Sequence, residues 1–265
     1  KGEYLVFLNN DTIHEKNWLE PLITYMDNNK DVASCQPKIM NYFDKESFDY
    51  AGGSGGFLDL FSFPFCRGRI LSHIENDKHQ YDDIRNIFWA SGTAFITRKD
   101  IFFKTDQFDE TLFAHMEEID YHWKCHWLGY NVSIIPSSII YHKNAQTLKK
   151  ESSYKKFLNH RNSLILLLTH YNFPFNIILL APRLILECIS IIKEIITLKV
   201  HYALANIGSL LWVAINPVYL IKKYVSIKRI KQKSIGDIFN KLYLRSIIVD
   251  YYVLNKKKFS NLKHE

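Results

Sequence analysis

The pattern of hydrophobic and polar positions in the front of the chain alternates between strand-like and helix-like stretches. Residues 4–8 form a continuous apolar run that stops at the polar residues 9–11, which predicts a buried parallel strand with polar side chains at its carboxyl end. Apolar positions recur at helical spacing over residues 18–26, and another short strand is predicted to begin at residue 32. This alternation predicts an α/β fold, in which ligands bind beyond the carboxyl ends of the strands.

The middle of the chain continues the same alternation. Residues 87–97 predict a strand whose glycine permits close approach by a neighbour or a ligand. Residues 117–128 predict a helix that stops at Gly129, and the extended segments that follow end at His142. Residues 143–156 are polar and lysine-rich, which predicts a mobile loop.

The rear of the chain has a different character. Prolines and charged residues interrupt its apolar clusters, and only residues 202–221 approach, marginally, the ~20 apolar residues that a membrane span needs. This pattern favours amphipathic helices that lie in the membrane interface. Six basic residues between Lys222 and Lys233 follow, as expected beside an anionic cytoplasmic leaflet. The sequence therefore predicts an α/β domain at residues 1–157 and a helical, basic, membrane-associated region at residues 158–265.

Charge is distributed unevenly between these two parts. The formal net charge is +7, yet residues 1–150 hold 16 Lys and Arg against 21 Asp and Glu, and residues 151–265 hold 18 against 6. A basic rear indicates contact with an anionic surface, either lipid or nucleic acid. Nucleic acid is disfavoured because the basic residues alternate with aliphatic clusters and no recognised binding motif is present. The four widely spaced cysteines form no CxxC pair, which argues against a disulfide framework and against a cysteine-based zinc site.

Asn9 and Asp11 are the first candidate ligands. On a strand, residues i and i+2 share a face, so both side chains would point into the crevice at the end of the strand. Two oxygen ligands suit a hard cation such as Mg²⁺ or Mn²⁺, whose coordination shell is completed by substrate phosphates. The alternative is a turn and a helix N-cap before residues 15–28.

Glu117, Glu118 and Asp120 form an acidic cluster at the N-terminus of a predicted helix, where the helix dipole favours ionised carboxylates. Acids in this position are often surface caps. Here apolar residues flank the cluster, and a partly buried carboxylate can have its pKa raised toward that of a useful general base. His122 and His126 stand at i, i+4 spacing, but without an HExxH motif or an assured third ligand they do not predict a zinc site.

Taken in order, these features resemble glycosyltransferase family 2, especially its bacterial rhamnosyltransferase-like members that build surface polysaccharides. The segment KGEYLVFLNNDT at residues 1–12 is similar to that family's GEYLLFLNNDT, and NWL at residues 17–19 is similar to its DWL. The remaining similarities, within residues 1–165, are Trp89 with Gly92-Thr93-Ala94, Phe108-Asp109-Glu110 with Leu112-Phe113, Glu117-Glu118-Ile119-Asp120, Gly129-Tyr130 with Pro136, Tyr141-His142 and Arg161-Asn162.

The resemblance implies roles for individual residues. It assigns Asp11 to a divalent metal and to the nucleotide diphosphate, with His142 joining it, and it assigns Glu118 to deprotonation of the acceptor hydroxyl. Because the family usually has Asp where Glu118 stands, Glu117 and Asp120 are alternative bases. The residues expected to contact the donor are Asn9, Asp11, Trp89, Gly92 and Thr93.

The resemblance also implies a fold and an activity. The fold is the C-terminal part of a GT-A (nucleotide-diphospho-sugar transferase) mixed sheet with flanking helices, followed by amphipathic membrane-associated helices. The activity is inverting transfer of a sugar from a nucleotide-sugar donor to a hydroxyl of a glycan or lipid-linked glycan acceptor in cell-surface polysaccharide synthesis. Its expected cofactor is Mg²⁺ or Mn²⁺, and its expected location is the cytoplasmic face of the cell membrane.

The family's first nucleotide-binding strands precede the segment that is matched at residue 1. The chain is therefore expected to be truncated at the front, and by itself it is not expected to retain full donor binding. The alternative to a transferase is a non-catalytic fragment or a membrane-surface binding module. A basic nucleic-acid-binding protein is the remaining and less favoured class.

Overall fold

Two sheets form the front of the protein in a computed structural model that describes residues 2–143 and 152–262. A six-stranded mixed sheet is flanked by helices, as the sequence predicts, and a four-stranded antiparallel sheet packs beside it. In chain order the strands are β1 (Tyr4–Leu8), β2 (Thr12–His14), β3 (Val32–Asn41), β4 (Gly56–Leu58), β5 (Pro64–Cys66), β6 (Arg69–Ile70), β7 (His73–Ile74), β8 (Arg85–Ile87), β9 (Ala94–Arg98) and β10 (Asn131–His142).

The strand order of the main sheet is β1-β9-β3-β10-β2, and β8 also pairs with β10. Strands β3 and β10 are parallel, and the other pairings are antiparallel. The predicted strand at residues 4–8 is therefore present, but the prediction that it is buried and parallel is wrong. Strand β1 lies at the edge of the sheet, antiparallel to β9, and Val6 and Leu8 are exposed. Its polar carboxyl end is nevertheless where the sequence places it.

The single strand predicted at residues 87–97 is two strands, β8 and β9, joined by an irregular segment at residues 88–93. The backbone N–H of Phe88 donates to the carbonyl of Gly56, and the N–H of Gly56 donates to the carbonyl of Trp89. These bonds attach the segment to β4 of the small sheet, so it leaves the main sheet before β9 begins.

Three α-helices flank the main sheet, namely α1 (Leu19–Asn28), α2 (Lys99–Lys104) and α3 (Glu117–Trp127). Helix α1 begins after Trp18 and has no side-chain cap, so residues 9–11 do not cap this helix. The turn that the same alternative predicts is present at residues 10–11. Helix α3 is followed by Gly129 at φ +94°, a left-handed conformation that glycine adopts without steric cost. The predicted stop of this helix is confirmed.

The rear of the chain is helical and packs directly against the front. Its helices are α4 (Ser153–His170), α5 (Phe175–Ile196), α6 (Val200–Ile215), α7 (Pro217–Ile230), α8 (Ile235–Phe239) and α9 (Ile247–Tyr252). The predicted boundary between residues 157 and 158 lies inside α4, whose apolar side chains share a core cluster with Trp123 and Trp127 of α3. Near the end of the chain, the ring of Phe259 packs against that of Phe57 of β4 at a tilted angle. Most of the predicted mobile loop at residues 143–156 lies outside the described residues, and α4 begins within its last part.

Helices α5, α6 and α7 turn their apolar side chains outward. In α5 the charged residues Arg183 and Glu187 are buried against the protein, where they form an ion pair of 2.6 Å, whereas Ile185 and Ile189 are exposed. Within the described residues α5 is long and apolar enough to cross a membrane, and α6 and α7 would reach that length only as a pair bent by 72° at Asn216. This arrangement reverses the usual placement of polar and apolar side chains on a soluble protein.

Candidate active site

A cleft of about 330 Å³ opens at the carboxyl ends of the strands. Its walls come from the residues after β1, the irregular segment before β9, the start of α3, the end of β10 and the first turns of α4. The predicted site residues that the structure brings together in this cleft are Asn9, Asp11, Trp89, Gly92, Thr93, Glu117, Glu118 and His142.

A histidine flanked by two carboxylates lies on one side of the cleft. Nε2 of His142 is 3.1 Å from Oδ1 of Asp11, and Nδ1 is 3.0 Å from Oδ1 of Asp49. Burial opposes the charged form of the imidazole, but the hydrogen bonds and charges of Asp49 and Asp11 outweigh burial and raise the pKa of His142. Asp49 is completely buried and orients the ring, so Nε2 faces Asp11 and the cleft.

The Asp11 and His142 side chains fit a divalent metal ion. Two ligands at right angles on an octahedral ion of this kind lie about 3 Å apart, which matches the 3.1 Å between Oδ1 of Asp11 and Nε2 of His142. An Nδ1–H that donates to a carboxylate, as the Asp49 contact permits, is the usual second partner of a metal-binding histidine. No group of three His, Cys, Asp or Glu side chains suited to a metal is found in the described parts of the chain. Oxygen atoms of a substrate would therefore have to complete the coordination shell.

Two adjacent carboxylates, Glu117 and Glu118, begin α3 and line the cleft. Burial raises the pKa of Glu118 to about 8, and the charge of Glu117 adds to the effect, although backbone N–H groups of Gly92 and Met116 oppose it. The Oε2 atom of Glu118 is shielded from solvent and has no hydrogen-bond partner among the described residues. A carboxylate with these properties is well suited to accept a proton near neutral pH.

The loop that leads into Glu117 is strained and is held in place by α4. Phe113, His115 and Met116 have φ angles of 62°, 64° and 76°, which residues other than glycine rarely adopt. The amide nitrogen of Asn162 donates to the carbonyls of Leu112, Ala114 and His115 at 2.9, 3.0 and 2.6 Å. This amide therefore stabilises the conformation that positions the two glutamates.

Asp120 does not reach the cleft, and its assignment as an alternative base is not supported by its position. Two residues along a helix turn the side chain by about 200°, which directs Asp120 into the interior. There it pairs with Lys124, Lys223 and His170 at 2.8, 2.8 and 2.9 Å. Burial alone would raise the pKa of Asp120, but the two lysine charges and the His170 hydrogen bond hold it well below its usual value. Its role is structural.

The residues predicted to contact the donor line the same cleft as the Asp11–His142 pair and the two glutamates of α3. The backbone N–H of Asn9 donates to the carbonyl of Thr93 at 2.9 Å, which joins the end of β1 to the irregular segment before β9. Trp89 is buried, and its Nε1–H donates to the carbonyl of Phe57, so its indole nitrogen is occupied within the fold. A Cβ atom added at Gly92 would lie 3.8 Å from Cδ of Glu118, so the backbone here runs alongside that carboxylate.

His122 and His126 are both buried and have different partners. The ring nitrogens of His126 are 2.8 Å from the carbonyl of Phe88 and 3.0 Å from the carbonyl of Tyr130. His122 packs edge-on against the ring of Phe95. Burial lowers the pKa of both histidines to about 3, so both are neutral packing groups in the protein interior.

Four residues of the site were not found from the sequence. Asp49 orients His142, and Tyr50, Arg69 and Lys155 line the cleft. None of the four belongs to a local motif, and they come from three separate elements, so only the tertiary fold brings them together.

Residues 1–104 match the family model of glycosyl transferase family 2. The matched segment contains Asn9, Asp11, Trp89, Gly92 and Thr93, and it ends before Glu118 and His142. This similarity supports a glycosyltransferase enzyme and the nucleotide-diphospho-sugar transferase type of mixed α/β fold.

The chain is also similar to N-acetylgalactosaminyltransferase 6 of Drosophila melanogaster, with 29% identity over 111 residues, which are 42% of this chain and 16% of that protein. A crystal structure of GalNAc-T7 with UDP, GalNAc and Mn²⁺ aligns with 66% of this chain and 32% of its own, at 15% identity and a TM-score of 0.47. The chain thus spans about a sixth of the curated relative and a third of the solved one. These similarities do not confirm the bacterial rhamnosyltransferase-like subtype.

Proposed function

We propose that the protein transfers a sugar from a nucleotide-sugar donor to a hydroxyl group of a glycan acceptor, with inversion at the anomeric carbon. The observation that supports this most strongly is the convergence of Asp11, His142 and Glu118 in one cleft, although 131 residues separate Asp11 from His142. The match of residues 1–104 to glycosyl transferase family 2 supports the same reaction class. A donor of the rhamnosyl type remains part of the proposal, on the sequence resemblance alone.

In the proposed reaction Glu118 accepts the proton of the acceptor hydroxyl while that oxygen attacks the anomeric carbon. The bond between the anomeric carbon and the diphosphate oxygen breaks in the same displacement, and the electron pair leaves with the diphosphate. A carboxylate whose pKa is about 8 binds this proton more strongly than an ordinary glutamate does. Asn162 acts on the reaction by positioning, because it holds the loop that presents Glu118.

Asp11 and His142 would hold Mg²⁺ or Mn²⁺, which supplies positive charge to the leaving diphosphate when it is bound. Asp49 keeps Nε2 of His142 directed toward Asp11 through its contact with Nδ1. The chain's own contribution is therefore a fixed pair of ligands in the cleft.

The direct test is a donor screen with purified protein, Mn²⁺, an acceptor glycan mixture, and UDP- and dTDP-linked sugars. We expect release of a nucleoside diphosphate from at least one donor, and we expect EDTA to stop the release and Mn²⁺ to restore it. Isothermal titration calorimetry of the nucleoside diphosphates, with and without Mn²⁺, measures binding independently of the acceptor. If no donor is consumed and no nucleotide binds in the presence of either metal, the proposed reaction is wrong.

We also propose that the outward apolar face of α5, α6 and α7 lies in the interface of an anionic membrane. Exposed isoleucines and leucines cover these helices. The exposed Lys199 lies between α5 and α6, and the exposed Lys222 and Lys228 lie within α7. Residues 151–265 hold 18 basic and 6 acidic residues, and this surplus of positive charge complements anionic lipid headgroups. A lipid-linked acceptor, a role in surface polysaccharide synthesis and a location at the cytoplasmic face of the membrane belong to this proposal.

Flotation with liposomes should reveal this membrane contact. We expect the protein to float with vesicles that contain anionic lipid, and we expect glutamates in place of Ile185 and Ile189 to reduce vesicle binding at least about tenfold, because two charges would replace buried apolar area. A glutamate in place of Ile84 is the matched control, since Ile84 is 50% exposed, similar to 62% and 56% for the two α5 residues, but lies in the front of the protein. Equal flotation of all variants would exclude this face as the membrane contact.

A further inference from the structure

A pair of cationic side chains flanks an aromatic ring on one wall of the cleft. The guanidinium carbon of Arg69 lies 4.2 Å from the centre of the Tyr50 ring, and Nζ of Lys155 lies 5.4 Å from the same centre. All three residues line the cleft that contains Asp11 and Glu118. Arg69 belongs to β6 and Lys155 to α4, so two distant parts of the sequence contribute one charge each.

Neither cation is neutralised by an acid in the described parts of the chain. Arg69 and Lys155 form no ion pair there, in contrast to the nearby Arg67, which pairs with Asp83. Arg69 donates through one terminal nitrogen to the carbonyl of Leu71 at 3.0 Å, but its Nε is buried and has no hydrogen-bond partner among the described residues. A buried N–H of a charged group without a partner is costly unless a ligand satisfies it.

The position of this pair indicates what kind of ligand it meets. Tyr50 directly follows Asp49, whose carboxylate contacts His142, so the cations lie beside the Asp11 and His142 pair. The other ionisable groups near the two cations in the cleft are the acids Asp11, Glu117 and Glu118, together with His142, which contacts Asp11 and Asp49. His115 is neutral, because burial and the charge of Lys155 lower its pKa to about 4. A neutral sugar hydroxyl does not require a positive charge beside it, whereas the oxygens of a phosphate accept charge-assisted hydrogen bonds from both cations.

We propose that Arg69 and Lys155, which both lie over the ring of Tyr50, form a binding site for the phosphate group of a phosphate ester, in addition to any metal held by Asp11 and His142. This inference rests on the proposed transferase function, because it concerns the same cleft. The phosphate belongs either to the nucleoside diphosphate of the donor or to the lipid phosphate of an acceptor. In both cases the guanidinium fork and the ammonium group donate hydrogen bonds to phosphate oxygens.

The site is tested by measuring ligand binding, not turnover, in the variants Lys155→Gln and Arg69→Gln. Isothermal titration calorimetry would use two probes separately, UDP with Mn²⁺ and farnesyl phosphate in a neutral detergent. Loss of one charge-assisted hydrogen bond should weaken binding about ten- to a hundredfold. Lys30→Gln is the matched control, because Lys30 is exposed and distant from the cleft. Lys155→Gln keeps the result interpretable if Arg69→Gln disturbs folding, since no hydrogen bond from the Lys155 side chain is present among the described contacts.

The two probes distinguish the two sources of the phosphate. Weaker UDP binding with unchanged farnesyl phosphate binding would assign the site to the donor, and the reverse would assign it to the acceptor. If both variants bind both probes as tightly as the wild type does, or if the wild type binds neither probe, the phosphate site is wrong. Unchanged binding in the variants together with Mn²⁺-dependent UDP binding by the wild type would overturn the phosphate site and leave the transferase proposal intact.

Discussion

Replacing Glu118 with glutamine should lower kcat about a hundred- to ten-thousand-fold, which is the usual contribution of a general base. Glutamine has nearly the same shape as glutamate and can still fit beside Gly92, but it cannot accept a proton. Glu118 is not among the residues predicted to contact the donor, so the dissociation constant of the nucleotide should change little. Steady-state kinetics and nucleotide titrations of the same variant would separate the two effects.

Glu117→Gln is the matched control for this prediction. It removes the same charge one residue away, and that charge helps to raise the pKa of Glu118 to about 8. A base must be deprotonated, so the activity of the wild type should increase with pH up to about 8. Without the charge of Glu117, the pKa of Glu118 should be lower, and the rising part of the pH profile should move to lower pH. Wild-type turnover in Glu118→Gln, or an unchanged pH profile in Glu117→Gln, would contradict the assignment of Glu118.

Asp11→Ala should abolish the dependence of donor binding on a divalent metal. Asp11 supplies the carboxylate oxygen that lies 3.1 Å from Nε2 of His142 within the cleft. Changes in the groups around a metal ligand already cost about ten- to a hundredfold in metal affinity, so removal of the ligand itself should cost at least about a hundredfold. Titration of UDP with and without Mn²⁺ measures this dependence directly.

Asp27→Ala is the control for Asp11→Ala, because Asp27 is an exposed carboxylate on α1 that contacts Lys30 and the Tyr4 hydroxyl and does not line the cleft. It should bind nucleotide and Mn²⁺ as the wild type does. A second check is His142, whose pKa should fall in Asp11→Ala because Asp11 helps to raise it. Undiminished, Mn²⁺-dependent nucleotide binding in Asp11→Ala would place the metal elsewhere and would remove the main support for the proposed cleft chemistry.

The features of the fold around the cleft that the sequence predicts correctly are those that depend on local pattern. An apolar run that stops at a polar residue predicts where β1 ends and thus where Asp11 lies. The left-handed glycine at position 129 predicts the end of α3, and the extended pattern before residue 142 predicts that His142 is at the end of a strand. In each case a few consecutive residues contain the information.

The parts that the sequence does not predict depend on contacts between distant residues. Residues 88–93 leave the main sheet because their backbone bonds to Gly56, which no periodicity in that segment reveals. Asp49 becomes a partner of His142 only because β3 and β10 are parallel neighbours. Asp120 stands in the same acidic cluster as Glu118 in the sequence, and only the helical geometry separates their roles.

The six basic residues between Lys222 and Lys233 have different surroundings, which their composition does not reveal. The sequence predicts six cations directed at a lipid surface. Lys223 instead pairs with Asp109 and Asp120, and Lys231 donates to the carbonyl of His170 and lies 4.0 Å from the ring centre of Trp127. Burial, together with the charge of Lys228, lowers the pKa of Lys231 to about 8. The lipid-facing charge of this stretch is therefore smaller than its composition indicates.

The ion pair between Asp120 and Lys223 connects the helix that carries Glu118 to a helix of the apolar face. Deleting the rear helices to obtain a water-soluble enzyme would leave Asp120 buried without one of its two lysines, and an orphaned charge of this kind costs about 3–5 kcal/mol. A shortened protein would thus lose the rigidity of the very helix that presents the base. A more soluble protein is better obtained by replacing the outer isoleucines with polar residues while the whole polypeptide is kept.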